Sequence, residues 1–243
     1  MLVEVLGLPG SGKTTLIKKV LPQLRALGLP ARRADKIVGL PCETPDAPRY
    51  LRRSPDRTAL YRAQAFRNAY PALMSHVEKR LDLDLTDGFL FSLTGSHYQG
   101  CFEYADRFDF IFLDEGFGHR GVSAHLGQDD AMFAQYLELI PVPDLVIHLC
   151  PPPRVAFRRA INRHASPDRP KREVTGRLGD EAVFRKRHQM LQTSVTALQA
   201  RGAEVLAINS ADALDDCTAA LIPDLQEVLA HHKAARPALH AAE

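Results

Sequence analysis

The 243-residue chain lacks several common organising features, and each absence removes a class of explanation. Its four cysteines, Cys42, Cys101, Cys150 and Cys217, stand far apart and form no C-x-x-C pair, so neither a zinc knuckle nor a disulfide framework is indicated. No apolar run approaches the ~20 residues of a membrane-spanning helix. The first strand is expected to begin at the second residue, which leaves no stretch for a signal peptide, and a cytoplasmic location is the expectation. An excess of one charge is also missing. The 31 Lys and Arg against 29 Asp and Glu leave +2, so neither nucleic acid nor a membrane surface is an expected partner. No internal repeat occurs. Lysine is scarce and arginine is not: of 23 arginines, eight lie between Arg32 and Arg67 and nine between Arg154 and Arg187.

What is present is enough apolar content, 45%, for one α/β domain with a full core. Strands are expected near 2–6, 29–34, 109–113, 144–149 and 203–208. Helical periodicity fills 14–24, 56–83 with an interruption at Pro71, 129–140, 153–164, 180–200 and 213–232. Alternation of this kind implies a parallel sheet covered by helices on both faces. The stretch 84–108 fits a short strand or a helix over 97–107, and the Ala-rich end, 233–243, is expected to be frayed.

The first strand runs into GLPGSGKTT at residues 7–15, which satisfies G-x-x-x-x-G-K-T between a strand and a helix. Gly7, Gly10 and Gly12 let the backbone approach an anion, so that successive N–H groups and the helix N-terminus surround phosphate, with Pro9, Ser11 and Thr15 completing the loop. Lys13 brings a compact charge to the outer phosphates, and Thr14 brings a hard oxygen for Mg²⁺. The glycine spacing and the immediate Lys-Thr disfavour a dinucleotide-binding turn. A second constellation, FDFIFLDEGFGHRG at 108–121, is a buried strand ending in Asp114 and Glu115. Ligands of a parallel sheet sit at the carboxyl ends of its strands, so Asp114 is placed to hold Mg²⁺ beside the loop. The third constellation covers residues 144–191. There Arg159 and Arg163 lie one turn apart, a breaker-rich stretch with Pro167, Pro170, Gly176 and Gly179 follows, and the next helix carries Arg185 and Arg187. Two helices joined by a basic flap suit a lid that closes over phosphates, centred on 164–179.

With these residues in place, the chain resembles the P-loop kinases of the nucleoside and nucleoside-monophosphate group. The piece TGRLGDEAVFRKRHQM at 175–190 is similar to the lid exit of adenylate kinases, and DEGFGHRGVS at 114–123 to segments of thymidylate and deoxynucleoside kinases. The resemblance implies a P-loop fold with a five-stranded parallel sheet and a helical lid, ATP as donor and Mg²⁺. It implies phosphoryl contacts from Arg177, Arg187, Arg159 and Arg163, and a donor-base loop at 209–213 beginning with Asn209. The match departs from the family after Asp114, where Glu115 stands in place of arginine and the arginine arrives as Arg120.

The acceptor region is expected at about 35–85. Arg57, Tyr61 and Gln64 share one helical face there, and Arg62 belongs to the same window. That arginine density points first to a nucleoside-monophosphate acceptor. A hydroxyl acceptor on a nucleoside, sugar or antibiotic-like molecule is the alternative, with Asp35 or Glu115 as base. A P-loop ATPase or regulatory switch is the further alternative, although no N-K-x-D string for guanine occurs. The expected partner is a small molecule, and the expected state is monomer or homodimer.

Overall fold

The computed structural model describes residues 1–41, 55–80, 85–164, 179–211 and 214–240. Five strands, β1 (Leu2–Gly7), β2 (Ala31–Arg33), β3 (Phe110–Leu113), β4 (Leu145–Leu149) and β5 (Glu204–Ile208), form one parallel sheet ordered β2-β3-β1-β4-β5. Register runs Leu2 to Ile111 on one side of β1 and Val3 to Leu145 on the other.

Alternation along the strands sorts the core into two layers. Val3, Val5, Phe110, Phe112, Leu145 and Ile147 pack on one face against α1 (Lys13–Ala26) and the last helix. Leu2, Leu6, Ile111, Leu113 and Val146 face the opposite layer. That layer contains α3 (Pro55–Ala69), α4 (Pro71–Arg80), α5 (Leu85–Glu103), α6 (Phe117–Ala124), α7 (Asp130–Leu139), α8 (Pro153–His164) and α9 (Glu181–Ala200). The short α2 (Ala34–Ile37) follows β2 directly, and α10 (Leu214–His240) closes the chain. Local chemistry explains several starts. Asp129 caps α7 by accepting from Ala131 N–H at 3.0 Å, and Asp180 caps α9 by accepting from Ala182 and Val183 N–H at 2.8 and 3.0 Å. No described helix is long and apolar enough to cross a membrane.

The architecture matches the expected five-stranded α/β sheet with helices on both faces. Of the two alternatives for the stretch before β3, the helix is found: residues 85–108 hold α5 through Glu103 and then a 3₁₀ turn, Ala105–Arg107. The unanticipated α6 begins three residues after Asp114. At the end of the chain, α10 runs to His240. The lid stretch 165–178, with Arg177, lies outside the described residues, as do the parts of the acceptor region at 42–54 and 81–84 and residues 212–213 of the expected donor-base loop.

Candidate active site

The carboxyl ends of β1, β2 and β3 meet at one edge of the sheet, and the crevice there is built from the loop upward. Gly10 and Gly12 hold φ of 81° and 99°, values that L side chains rarely adopt. A Cβ at Gly10 would also stand 2.4 Å from the carbonyl oxygen of Ala156, so only glycine lets α8 lie against the loop. Gly12 is the N-cap of α1 and brings no side chain to that end, which leaves the first-turn N–H groups facing the loop interior. Lys13 folds back and donates to the carbonyls of Gly7 at 2.8 Å and Leu8 at 3.3 Å. Burial holds its ammonium below the usual lysine range. Asp114 and Glu115 oppose that shift, while Arg163 and Arg120 add to it. These five charges therefore share one electrostatic neighbourhood.

The Thr14 hydroxyl donates to Asp114 Oδ2 at 2.7 Å, and Asp114 Oδ1 is buried without a partner among the described residues. The hydroxyl and carboxylate are two hard oxygens side by side, with one acceptor position to spare. Mg²⁺ takes one or two carboxylates together with substrate phosphates, so this pair fits it. Ser11 Oγ, in the loop itself, is likewise buried and unpartnered. Behind the loop, Ser210 donates to the Ser11 carbonyl at 2.8 Å, and the Asn209 side chain accepts from Ala211 N–H at 3.1 Å. The 209–211 turn is thereby fastened to the nucleotide loop.

Next to Asp114 lies a cleft of about 170 Å³, lined by Arg33, Asp35, Thr94, His97, Glu115 and Arg120 among others. Both of its guanidiniums are engaged by carboxylates. Arg33 Nε donates to Asp35 at 2.9 Å, and Arg120 donates to Glu115 at 2.5 Å. Thr94 donates its hydroxyl to the Leu90 carbonyl at 2.8 Å, as mid-helix threonines do. Burial pulls the His97 imidazole down to about 4 against the carboxylate of Asp35, so it is neutral at physiological pH. Above it, His119 is also held neutral, first by burial and then by Lys13, Arg120 and Arg187.

Several anticipated residues take other positions. Arg62, assigned to the acceptor, is fully buried. It donates to Glu103 at 2.7 and 3.0 Å and to the carbonyls of Ile37, Val38, Leu40 and Pro41, which ties the segment after α2 to α3 and α5. Its neighbours on α3 do not join the cleft either: Arg57 is exposed, Tyr61 is half-buried, and neither lines it. Arg159 donates to the carbonyls of Ser210 and Ala211, at 2.6 and 3.3 Å, so it braces α8 against the 209–211 turn. Arg163, one turn on, does reach the field of Lys13. Arg187 lies over the Phe184 ring at 5.9 Å, within the field of His119.

Sequence reasoning missed Thr94, His97, Tyr98 and Glu4. Glu4 is a carboxyl with no solvent exposure in the middle of β1. Burial pushes it up to about 7, opposed by a 2.7 Å hydrogen bond from the Tyr98 hydroxyl and by the N–H groups of His119 and Gly118. The available signal was one charge in the apolar run LVEVLG.

No family model matches the chain, and no curated protein does. Among solved structures, the chain is similar to deoxyadenosine kinase from M. mycoides with bound dATP, at 14% identity and a TM-score of 0.51, over 93% of this chain and 100% of that one. It is similar to the same enzyme with bound dCTP at 13% identity and a TM-score of 0.51, with the same coverage. Likeness at this identity is one of fold, and the parallel sheet with helices on both faces is the architecture that a P-loop kinase uses.

Proposed function

We propose that the chain transfers the γ-phosphoryl group of ATP to a hydroxyl of a compact, polar small molecule. The observation that carries this reading is the double role of Asp114, which bonds Thr14 of the phosphate loop and also lines the neighbouring cleft. A donor site and an acceptor site thus share one carboxylate. The loop's N–H groups and Lys13 would hold the phosphates, and Thr14 and Asp114 would hold Mg²⁺, which would supply positive charge against the phosphoryl oxygens. Arg163 and Arg187 stand in the same field and add positive charge where the transferring group sits.

The cleft's chemistry favours a hydroxyl over a phosphate acceptor. It carries three carboxylates, Asp35, Asp114 and Glu115, against two guanidiniums that are both engaged by carboxylates. A dianionic acceptor would meet net repulsion there, whereas a hydroxyl needs a carboxylate to receive its proton. Asp35 is the stronger candidate base, because it lines the cleft from the first turn of α2, directly after β2, and has no part in the Thr14–Asp114 pair. At about 170 Å³ the cleft is smaller than the ~300 Å³ and above usual for drug-sized ligands, and seven of its eleven lining residues are polar, which suits a sugar-like or polyol acceptor. One observation keeps the nucleoside-monophosphate reading alive: Arg120 Nε is buried with no partner.

The test is ADP release from ATP and Mg²⁺ across panels of sugars and polyols, nucleosides, and nucleoside monophosphates. Stimulation by compact hydroxylated molecules is expected. Stimulation confined to monophosphates selects the second reading, and acceptor-independent release makes the protein an ATPase.

A further inference from the structure

The glycines of GFGHRG, residues 116–121, do not line the cleft, yet the structure gives each a physical neighbour. A Cβ at Gly116 would lie 2.3 Å from the Glu4 carboxyl carbon, one at Gly118 would lie 3.0 Å from Glu4 Oε1, and one at Gly121 would lie 2.1 Å from the Tyr136 ring. The first turn of α6 is thus pressed onto two buried side chains of other elements.

We propose that Glu4, locked by the Tyr98 hydroxyl, is a positioning residue that fixes the first turn of α6 and through it the Glu115–Arg120 pair at the acceptor cleft. This role rests on the phosphoryl-transfer reading of the crevice. The N-cap of α6 is Gly116, which supplies no side-chain acceptor. The Glu4 carboxylate takes that place through space and accepts from the N–H groups of Gly118 and His119, the second at 3.3 Å. Those are the N2 and N3 donors that an N-cap side chain ordinarily satisfies, and a carboxylate there also meets the positive end of the helix dipole. On its other side the same carboxylate accepts from Tyr98 at 2.7 Å. Tyr98 belongs to α5, next in sequence to His97 and one turn beyond Thr94, both of which line the cleft. Further anchors hold the same turn: Tyr136 donates to the Phe117 carbonyl at 2.8 Å and Ser194 to the Gly118 carbonyl at 3.4 Å. Arg120 and Glu115 bracket this turn and meet across it.

Glu4 therefore joins three parts of the machine. It sits on the strand that delivers the phosphate loop, it caps the helix that carries Arg120, and it holds the helix that carries His97. A carboxyl without solvent exposure costs stability unless such contacts repay it. An apolar residue would fill the strand position as well for packing, but it would leave the α6 donors and the Tyr98 hydroxyl unsatisfied.

The experiment uses the full chain with two near-isosteric variants, Glu4→Gln and Tyr98→Phe, at pH 8, where the carboxyl is ionised. Three readouts separate positioning from plain structure. Amide exchange at Gly118 and His119 is expected to quicken in both variants. Acceptor kcat/KM is expected to fall by about tenfold or more, the scale of a slightly misplaced reacting group, while the Kd for Mg·ATP stays within about twofold. The double variant is expected to be no worse than the more severe single one, since both act on one linkage. Unchanged exchange in α6, or equal losses in nucleotide Kd and acceptor kcat/KM, overturns the proposal. A wild type that turns over ATP with no need of any acceptor overturns the functional reading instead, and the exchange comparison still decides whether Glu4 holds α6.

Discussion

Nine consecutive residues, 7–15, make the nucleotide end of the crevice, whereas the acceptor end is assembled from the tips of β2 and β3 and one face each of α5 and α6. The two ends also differ in how their polar groups are engaged. At the nucleotide end Lys13 rests on carbonyls of its own loop, and Asp114 Oδ1 and Ser11 Oγ have no partner among the described residues. At the acceptor end the charges neutralise one another in pairs, Arg33 with Asp35 and Arg120 with Glu115. The nucleotide end keeps buried polar atoms without partners around a glycine-rich loop, and its geometry is local. The acceptor end is a balanced polar wall whose geometry depends on tertiary packing.

The largest effect that sharpens this contrast lies just behind the acceptor wall. Arg62→Ala is expected to destabilise the fold by ~3–5 kcal/mol, because it removes the buried guanidinium that Glu103 accepts from and takes the donor from the carbonyls of Val38 and Leu40. Thermal or denaturant unfolding measures it. A variant with normal stability and a raised acceptor KM would return Arg62 to the cleft and break the division drawn here.

At the nucleotide end, Lys13→Ala is expected to lower kcat by about two to three orders of magnitude with little change in melting temperature. The loop's shape comes from glycines and backbone hydrogen bonds, so the fold does not need the ammonium. Steady-state kinetics beside a melting curve gives the answer, and unchanged turnover would remove the phosphate loop from the reaction. Asp35→Asn is the matching change at the acceptor end. It removes the proposed base and leaves the loop untouched, so kcat is expected to fall about 100-fold while the calorimetric Kd for Mg·ATP stays constant. A loss of nucleotide affinity in that variant would mean that the two ends are not separable.

The same contrast explains what was legible in the sequence. Strands lay within a few residues of their expected places, because β1, β3 and β4 are largely apolar runs buried on both faces, interrupted only by Glu4 in β1 and His148 in β4. The loop at 7–15 was legible because its function needs fixed residues at fixed spacing. Helix α5 was legible only in part, since its polar and apolar residues are spread around its circumference: it packs on α3, α2 and α6 at once and shows no polar stripe. With no stripe to orient α5, His97 and Thr94 had no face to belong to. Arg62 was misplaced for a related reason. It shares a charged window with exposed Arg57, and only the fold distinguishes a guanidinium that closes a backbone turn from one in solvent. Glu4 had a signal, a lone carboxyl in a buried strand, but its partners Tyr98 and His119 lie about a hundred residues away.

The smallest effects concern pH, and here two residues on either side of the α5 wall have opposite signs. Glu4 titrates at about 7 in the fold against 4.5 as its ordinary value, so between those limits the native state holds a proton that the unfolded chain has lost. Its share of stability therefore falls as pH rises from about 4.5 to 7. His97 titrates at about 4 against 6.5, so over that interval the unfolded chain holds the extra proton and stability rises with pH. Burial is the first cause of both shifts, and the signs differ because burial disfavours a negative carboxylate and a positive imidazolium alike. Between pH 5 and 6.5 the two slopes oppose each other, each at most ~1.4 kcal/mol per pH unit. Glu4→Gln removes the falling slope, so the stability of that variant is expected to climb with pH more steeply than that of the wild type. His97→Gln removes a rising slope and is expected to climb less steeply. His148, also pulled down to about 4 by burial, contributes the same background to all three proteins and cancels in the differences. Denaturant unfolding at four pH values measures both differences. Parallel curves for Glu4→Gln and the wild type would mean that the carboxyl remains ionised throughout, held by Tyr98 and the α6 amides more strongly than burial opposes it.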